Sequence, residues 1–299
     1  MNITNVHNLP EVFCESVDLF DSDYDRGDSD YTATELIRPV RINVLTKRHW
    51  NDLTEDVSDR VWRLGGHVKH LIFKRLAEKH PERYIAELRM YATVDGYKVS
   101  GQLDLYDRQT AILWDYKESS VWKFVLGDTR EWEEQANINA YCLRQSEWNV
   151  VHALQNLVIL KDWKAREAQM KPDYPQCAVH IVDLPMWSDK ECENFIGKRL
   201  EAISDGQENP PLCTPDERWE RGEKFATMKR GRKSAVKLWD NEGSALNQAA
   251  ALGVGHYVEH RPAEPTRCLR YCGVAEFCDF GRQTLGLIPL VNVQSAQQD

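Results

Sequence analysis

The chain is predicted to be an α+β (mixed α/β) protein, with a central mixed sheet flanked by helices and a small inserted α+β subdomain. Three observations carry that expectation. Helix-period and strand-period segments run in the order helix, three strands, helix, strand, strand, helix. Turn dipeptides and short polar triplets separate the strand-like runs. Hydrophobic residues make up 42% of 299 positions, enough for one large domain or one plus a subdomain.

Taken in order, the segment from Asp18 to Asp30 carries Asp18, Asp21, Asp23, Asp25, Asp28 and Asp30 with few apolar residues. It reads as part of a solvated, mobile acidic arm over 1–35: a solubilising tail, or a cover for a basic cleft. From Trp50 to Lys79, Val57, Val61, Leu64, Val68, Leu71, Ile72 and Leu76 recur at helical steps, and Pro81 closes the run. Ile85–Val94, Tyr97–Tyr106 and Thr110–Lys117 read as an antiparallel meander turned at Asp95-Gly96 and Asp107-Arg108-Gln109. A helix over Arg130–Gln145, strands over Val150–Leu160 and Cys177–Leu184, and a helix over Ser188–Ile203 complete a core spanning 36–212. Beyond it, hairpin strands Lys224–Met228 and Ser234–Trp239 flank a basic tip, and an Ala-rich helix lies near Ser244–Leu252. These form an inserted subdomain, 214–267, within a cysteine-bearing region, 213–283, followed by a tail, 284–299.

Charge and hydropathy exclude some classes. No apolar run approaches the roughly 18 residues of a membrane span, and the Met1 end lacks a signal-peptide layout, so a soluble, non-secreted, cytoplasmic protein is expected. A net charge of −9 argues against a generally sticky nucleic-acid binder and leaves a local basic groove open.

The chemistry concentrates in Gly101-Gln-Leu-Asp104 and Asp115-Tyr-Lys117. Alternation along a strand puts Asp115 and Lys117 on one face, and a short hairpin brings Asp104 beside them. Two carboxylates next to an ammonium repel each other unless a divalent cation sits between them, and oxygen ligands suit Mg²⁺ or Mn²⁺. Phosphodiester hydrolysis is the natural reaction for such a site. Spacing alone proves nothing, since Asp162-Trp163-Lys164 repeats it after another apolar strand.

Gly66-x-x-x-His70, Glu87, Ser100-Gly101-Gln102-Leu103-Asp104, Asp115-Tyr116-Lys117 and a helix bearing Gln135 together resemble the RecB-type branch of the PD-(D/E)xK nuclease superfamily, especially its phage-associated members. The resemblance runs from Trp62 to Leu184 and implies a restriction-endonuclease-like core. It implies that Asp104 and Asp115 ligate the metal with the Tyr116 carbonyl, and that Lys117 positions or activates water. By the same resemblance His70 is a further ligand or a phosphate contact, against the plainer reading of an ordinary helix histidine with His67 as competitor. Glu87 is a metal or Lys117 partner, or simply a half-exposed strand residue. The family's helix carries Tyr four residues after Gln; here that position is Asn139, and Tyr141 lies about 120° around the helix. Gln135, Asn139 and Tyr141 are the candidates for DNA contact there, with a core residue as the alternative reading of Tyr141.

Cys268, Cys272 and Cys278 fall within eleven residues, with Cys213 upstream. In a reducing compartment such clustering points to metal. The distant-plus-triplet layout resembles RecB-type nucleases with a 4Fe-4S cluster, and three residues rather than two between Cys268 and Cys272 leave Zn²⁺ as the alternative. Lys229, Arg230, Arg232 and Lys233 at the hairpin tip, and Arg63, Lys69, Lys74 and Arg75 near His70, are candidates for phosphate contact. The expectation is a Mg²⁺-dependent DNA nuclease, an exonuclease of phage recombination, replication or DNA degradation, with DNA and a helicase or annealing protein as partners. A non-catalytic DNA-binding or assembly module is the alternative, and a structural metalloprotein a third.

Overall fold

A computed structural model describes residues 1–22, 26–127, 129–146 and 150–288 of the chain. Two compact units emerge: Met1–Arg38 with Thr54–Gln207, and Pro39–Leu53 with the chain from Glu208 onward.

The first unit contains β1 (Asn2–Thr4), β2 (Tyr31–Thr32), β3 (Thr54–Asp56), β4 (Tyr84–Ala86), β5 (Arg89–Val94), β6 (Tyr97–Gln102), β7 (Leu105–Asp107), β8 (Ile112–Ser119), β9 (Ala153–Leu160) and β10 (Val179–Leu184). The larger sheet has the order β10-β9-β8-β7-β4, and a smaller one the order β2-β6-β5. β8 and β9 pair in parallel while β9–β10, β7–β8 and β4–β7 are antiparallel, so the sheet is mixed. A parallel neighbour demands a crossover, supplied by the helices Val121–Leu126 and Arg130–Arg144 between β8 and β9. The fold is thus mixed α/β, a central multi-strand sheet with flanking helices.

Burial alternates strictly along β9, as its sequence ALQNLVIL dictates for a strand with one face inward. The helix Arg130–Arg144 is buried almost all round, from Ala136 to Leu143, because it packs against β5 and β6 as well as β8, β9 and β10. The helix Asp189–Asp205 begins in a capping box, with Ser188 and Glu191 each accepting from the other's backbone N–H.

Four sequence expectations change. The first expected strand, Ile85–Val94, is two strands in different sheets, broken at Glu87, whose φ of 53° is left-handed. The second expected strand of the meander, Tyr97–Tyr106, is β6 and β7 in different sheets, divided at Leu103-Asp104. The helix expected from Trp50 begins only at Val61 and runs to Lys79; β3 and a 3-10 turn precede it. Where a mobile acidic arm is expected over 1–35, β1 pairs with β3 and a helix spans Glu11–Ser22; Asp18, Asp28 and Asp30 are exposed, in keeping with a solvated run, and each has a partner. Asp18 pairs with Arg60, and the Lys98 backbone N–H donates to Asp30 at 2.8 Å while its ammonium pairs with Asp28. Asp23 and Asp25 lie outside the described residues, as do the side chains of Asp21, Arg63, His67 and Lys69, and the tail from 289.

The second unit carries β11 (Glu220–Arg221), β12 (Lys224–Lys229), β13 (Lys237–Trp239), β14 (His256–Arg261) and β15 (Glu264–Pro265). β13-β12-β14 form an antiparallel sheet covered by the helix Glu242–Leu252, and β11 pairs with β15 to close the excursion.

One packing contact explains the small residue before Gln102. A Cβ on Gly101 would lie 2.5 Å from Asn139 Oδ1 and 3.0 Å from Asn139 Cα, so only glycine lets the buried helix approach β6 this closely. Gly101→Ala is therefore expected to lower stability by about 1–3 kcal/mol through overpacking, measured by denaturant unfolding, whereas alanine at the open Gly222 has no such contact.

Candidate active site

Asp104 lies in the link between β6 and β7 and is 7% exposed; Asp115, on β8, is 8% exposed. The Tyr116 backbone N–H donates to Asp104 Oδ2 at 2.8 Å, fixing that carboxylate against β8. His70 reaches in from the helix Val61–Lys79, its Nδ1 2.9 Å from Glu87 Oε1 and 3.4 Å from Asp104 Oδ1. Glu87 sits at the left-handed break between β4 and β5, a conformation costing a non-glycine residue about 1–2 kcal/mol. Its other oxygen accepts from Gln102 Nε2 at 2.9 Å, and Arg89 Nη2 donates to Gln102 Oε1 at 2.6 Å.

A second arm meets the first. Lys117 Nζ lies 2.7 Å from Asp115 Oδ2 and donates to Gln135 Oε1 at 2.8 Å. The Asp115 contact is an ion pair only: Oδ2 is buried and receives no hydrogen bond. His70, Glu87 and Asp104 form the one group among the described residues whose possible ligand atoms all lie within 4.8 Å of one another. An imidazole and two carboxylates suit a hard divalent cation such as Mg²⁺ or Mn²⁺; Asp115, expected as a ligand, is not part of this group, its buried Oδ2 lying against the Lys117 ammonium.

Electrostatics follow the geometry. Burial, then the neighbouring Asp115 carboxylate, push the Asp104 carboxyl well above its ordinary value. The hydrogen bond to Glu87, with Asp104 and Asp115 nearby, raises His70 to about 9 against the cost of burial.

The remaining expectations divide. Asn139 and Tyr141 do not reach solvent, being 4% and 3% exposed, which corrects their assignment to DNA contact. Asn139 Nδ2 instead donates to the Gln102 carbonyl, and the Tyr141 hydroxyl to Glu193. Asp162 of the repeated Asp-x-Lys pattern accepts from the Val121 backbone N–H at 2.7 Å, a structural role. Lys229, Arg230, Arg232 and Lys233 are exposed at the turn between β12 and β13, in the second unit. Gln102 and Arg89 have no role in the sequence reading; the β5–β6 register sets them opposite each other, a long-range pairing that local pattern does not reveal.

The iron–sulfur expectation is corrected, and its zinc alternative with it. Cys213, Cys268, Cys272 and Cys278 border one small cavity, but among the described residues no cysteine belongs to a converging ligand group, and all eight cysteines are free. Burial pushes the Cys213 thiol up to about 12 and Cys268 up to about 11, so both stand as neutral thiols. Arg41 Nη1 donates to Cys278 Sγ at 3.5 Å.

No protein-family model matches the chain, and no curated protein matches it. Among solved structures, one titled "Crystal structure of SSO0001" is similar over 70% of this chain and 88% of that one, at 15% identity and a TM-score of 0.47. Among the described residues, no helix is long and apolar enough to cross a membrane.

The shifted groups set a pH dependence. The stability that His70 contributes is complete below 6.5 and is lost as pH rises through about 9. Asp104, with its folded value raised, favours the protonated form and costs stability as pH rises above the ordinary carboxyl range. In chelator, the melting temperature is expected to fall from pH 6 to 9, less steeply in His70→Ala. Mn²⁺ is expected to raise it more at pH 8 than at pH 5, because cation binding must release those protons.

Proposed function

We propose that the chain is a divalent-metal-dependent deoxyribonuclease with a restriction-endonuclease-like core, of the PD-(D/E)xK type, that degrades DNA from its ends. The observation that supports this most is the burial of two carboxylates, Asp104 and Asp115, in one site with His70 and Lys117. Ordinary surface pairs do not require that cost.

A divalent cation would be held by Asp104 with His70 and Glu87 of the converging group beside it, Asp115 joining once released by Lys117, and would supply Lewis-acid stabilisation of the charge that develops on a phosphodiester. The chain's own groups do the rest. Tyr116 N–H and His70 fix the orientation of the Asp104 carboxylate. Gln102 locks Glu87, and Glu87 in turn holds the His70 ring. Lys117 Nζ, held between Asp115 and Gln135, has an N–H left to orient water or a phosphate oxygen. Its positive charge offsets the charge gained in the transition state. Lys229, Arg230, Arg232 and Lys233 are proposed to grip backbone phosphates without reading sequence.

Linear and closed-circular DNA are compared with Mg²⁺, Mn²⁺ or chelator, with Lys117→Ala in parallel. Metal-dependent loss of linear DNA is expected, reduced at least about 100-fold in Lys117→Ala while DNA binding and melting temperature are kept. Equal cleavage by wild type and variant would sink the proposed role of Lys117. Binding without cleavage of either form would make the chain a DNA-binding module.

A further inference from the structure

Among the described residues Trp122 is the most exposed of the large aromatic side chains, at 73%, in the helix Val121–Leu126 that begins four residues after Lys117. Its neighbours Val125 and Leu126 are 50% and 78% exposed. A short helix showing this much apolar surface is nonetheless fastened on three sides. Asp162 Oδ1 accepts from Val121 N at 2.7 Å, Ser120 Oγ caps the Lys123 N–H at 3.2 Å, and Phe124 packs on His180 with ring centroids 4.5 Å apart. The exposure is therefore built in.

The helix is continuous with the candidate site. Lys123 Nζ lies over the Trp132 ring, 5.4 Å from its centroid, and Trp132 is one helical turn before Gln135, the partner of Lys117. Five virtual bonds separate Trp122 from Lys117, a Cα distance of at most about 19 Å. The turn after β9 is tied to the same helix start, with Lys161 N donating to the Ser119 carbonyl at 3.0 Å, and it displays Lys161, Lys164 and Arg166 to solvent. Of the nearby acids, the Asp162 carboxylate is taken up by Val121 N and Glu167 pairs with Lys171, while Glu118 is exposed.

An indole with apolar neighbours, on a helix that bears Lys123 and is tied at its start to a turn exposing Lys161, Lys164 and Arg166, matches the chemistry of single-stranded nucleic acid, whose bases stack and whose phosphates are anionic. We infer that Trp122 is a base-stacking platform that holds a single strand of DNA beside the catalytic groups, making single-stranded DNA the favoured substrate. This rests on the nuclease reading for its purpose, not for its binding chemistry.

The test uses the full chain in chelator, with a labelled oligo(dT) and a duplex of equal length, and the variants Trp122→Ala and Trp122→Phe. Trp122→Ala is expected to weaken oligo(dT) binding about tenfold, Trp122→Phe to recover most of it, and duplex binding to change much less. Unchanged melting temperatures show that the exposed site does not carry the fold. Unaltered oligo(dT) affinity in Trp122→Ala would overturn the inference, while metal-dependent cleavage by the wild type would leave the nuclease reading standing. Loss of affinity in a chain that never cleaves DNA would support the platform and remove the nuclease. Unaltered affinity together with wild-type dimers that Trp122→Ala dissolves, seen by light scattering, would overturn it in favour of an interface between copies.

Discussion

Everything around the site answers to one constraint: Asp104 and Asp115 are buried beside each other, 7% and 8% exposed. Each carboxylate loses most of its hydration and feels the other's charge, so the pair is tolerable only with a proton, a cationic side chain or a metal ion nearby. Without metal, the chain meets the demand with two positively charged arms. His70 approaches Asp104 with Glu87 behind it, and Lys117 approaches Asp115 with Gln135 behind it. Asp115 Oδ2 is buried with the Lys117 ammonium as its ion-pair partner and with no aligned hydrogen bond.

The fold supplies the rigidity this requires. β8 lies at the centre of the five-stranded sheet; β7 pairs with it only as far as Trp114, and the parallel ladder with β9 continues through Asp115 and Lys117 and fixes their positions. Asp104 falls where the chain leaves the smaller sheet for the larger, and the close approach of Asn139 to Gly101 pins the strand before it. The left-handed backbone at Glu87 is local strain that the surrounding hydrogen bonds sustain.

Much of this was legible in the sequence, because the Asp115-Tyr-Lys117 face and its hairpin neighbour Asp104 follow from strand alternation over a few residues. The Gln135 helix was legible for a similar reason, its distance to Lys117 being bridged by a single crossover. What lay hidden depends on long-range partners. Periodicity reports a strand's faces but not its sheet, so the division at Glu87 could not be read from Ile85–Val94. The aspartate run is solvated as its composition says, but composition does not show that Lys98, distant in sequence, meets Asp28 and Asp30. Helix phase turned Tyr141 away from Gln135 toward the core, where it lies, but put Asn139 on the Gln135 face, and that helix is packed on nearly all sides, so Asn139 is buried as well. For the cysteines, closeness in sequence places four thiols around one cavity but does not aim their sulfurs at one point.

The central claim is that the paired carboxylates exist to hold a divalent cation. Anomalous diffraction at the manganese edge, from crystals grown with Mn²⁺, tests it most directly. The account expects one peak about 2.2 Å from oxygens of both Asp104 and Asp115, with the Lys117 ammonium moved off Asp115 toward solvent or Gln135. No peak at saturating Mn²⁺, with the Lys117–Asp115 and His70–Asp104 pairs intact, would contradict it and leave the cluster a structural ion-pair network.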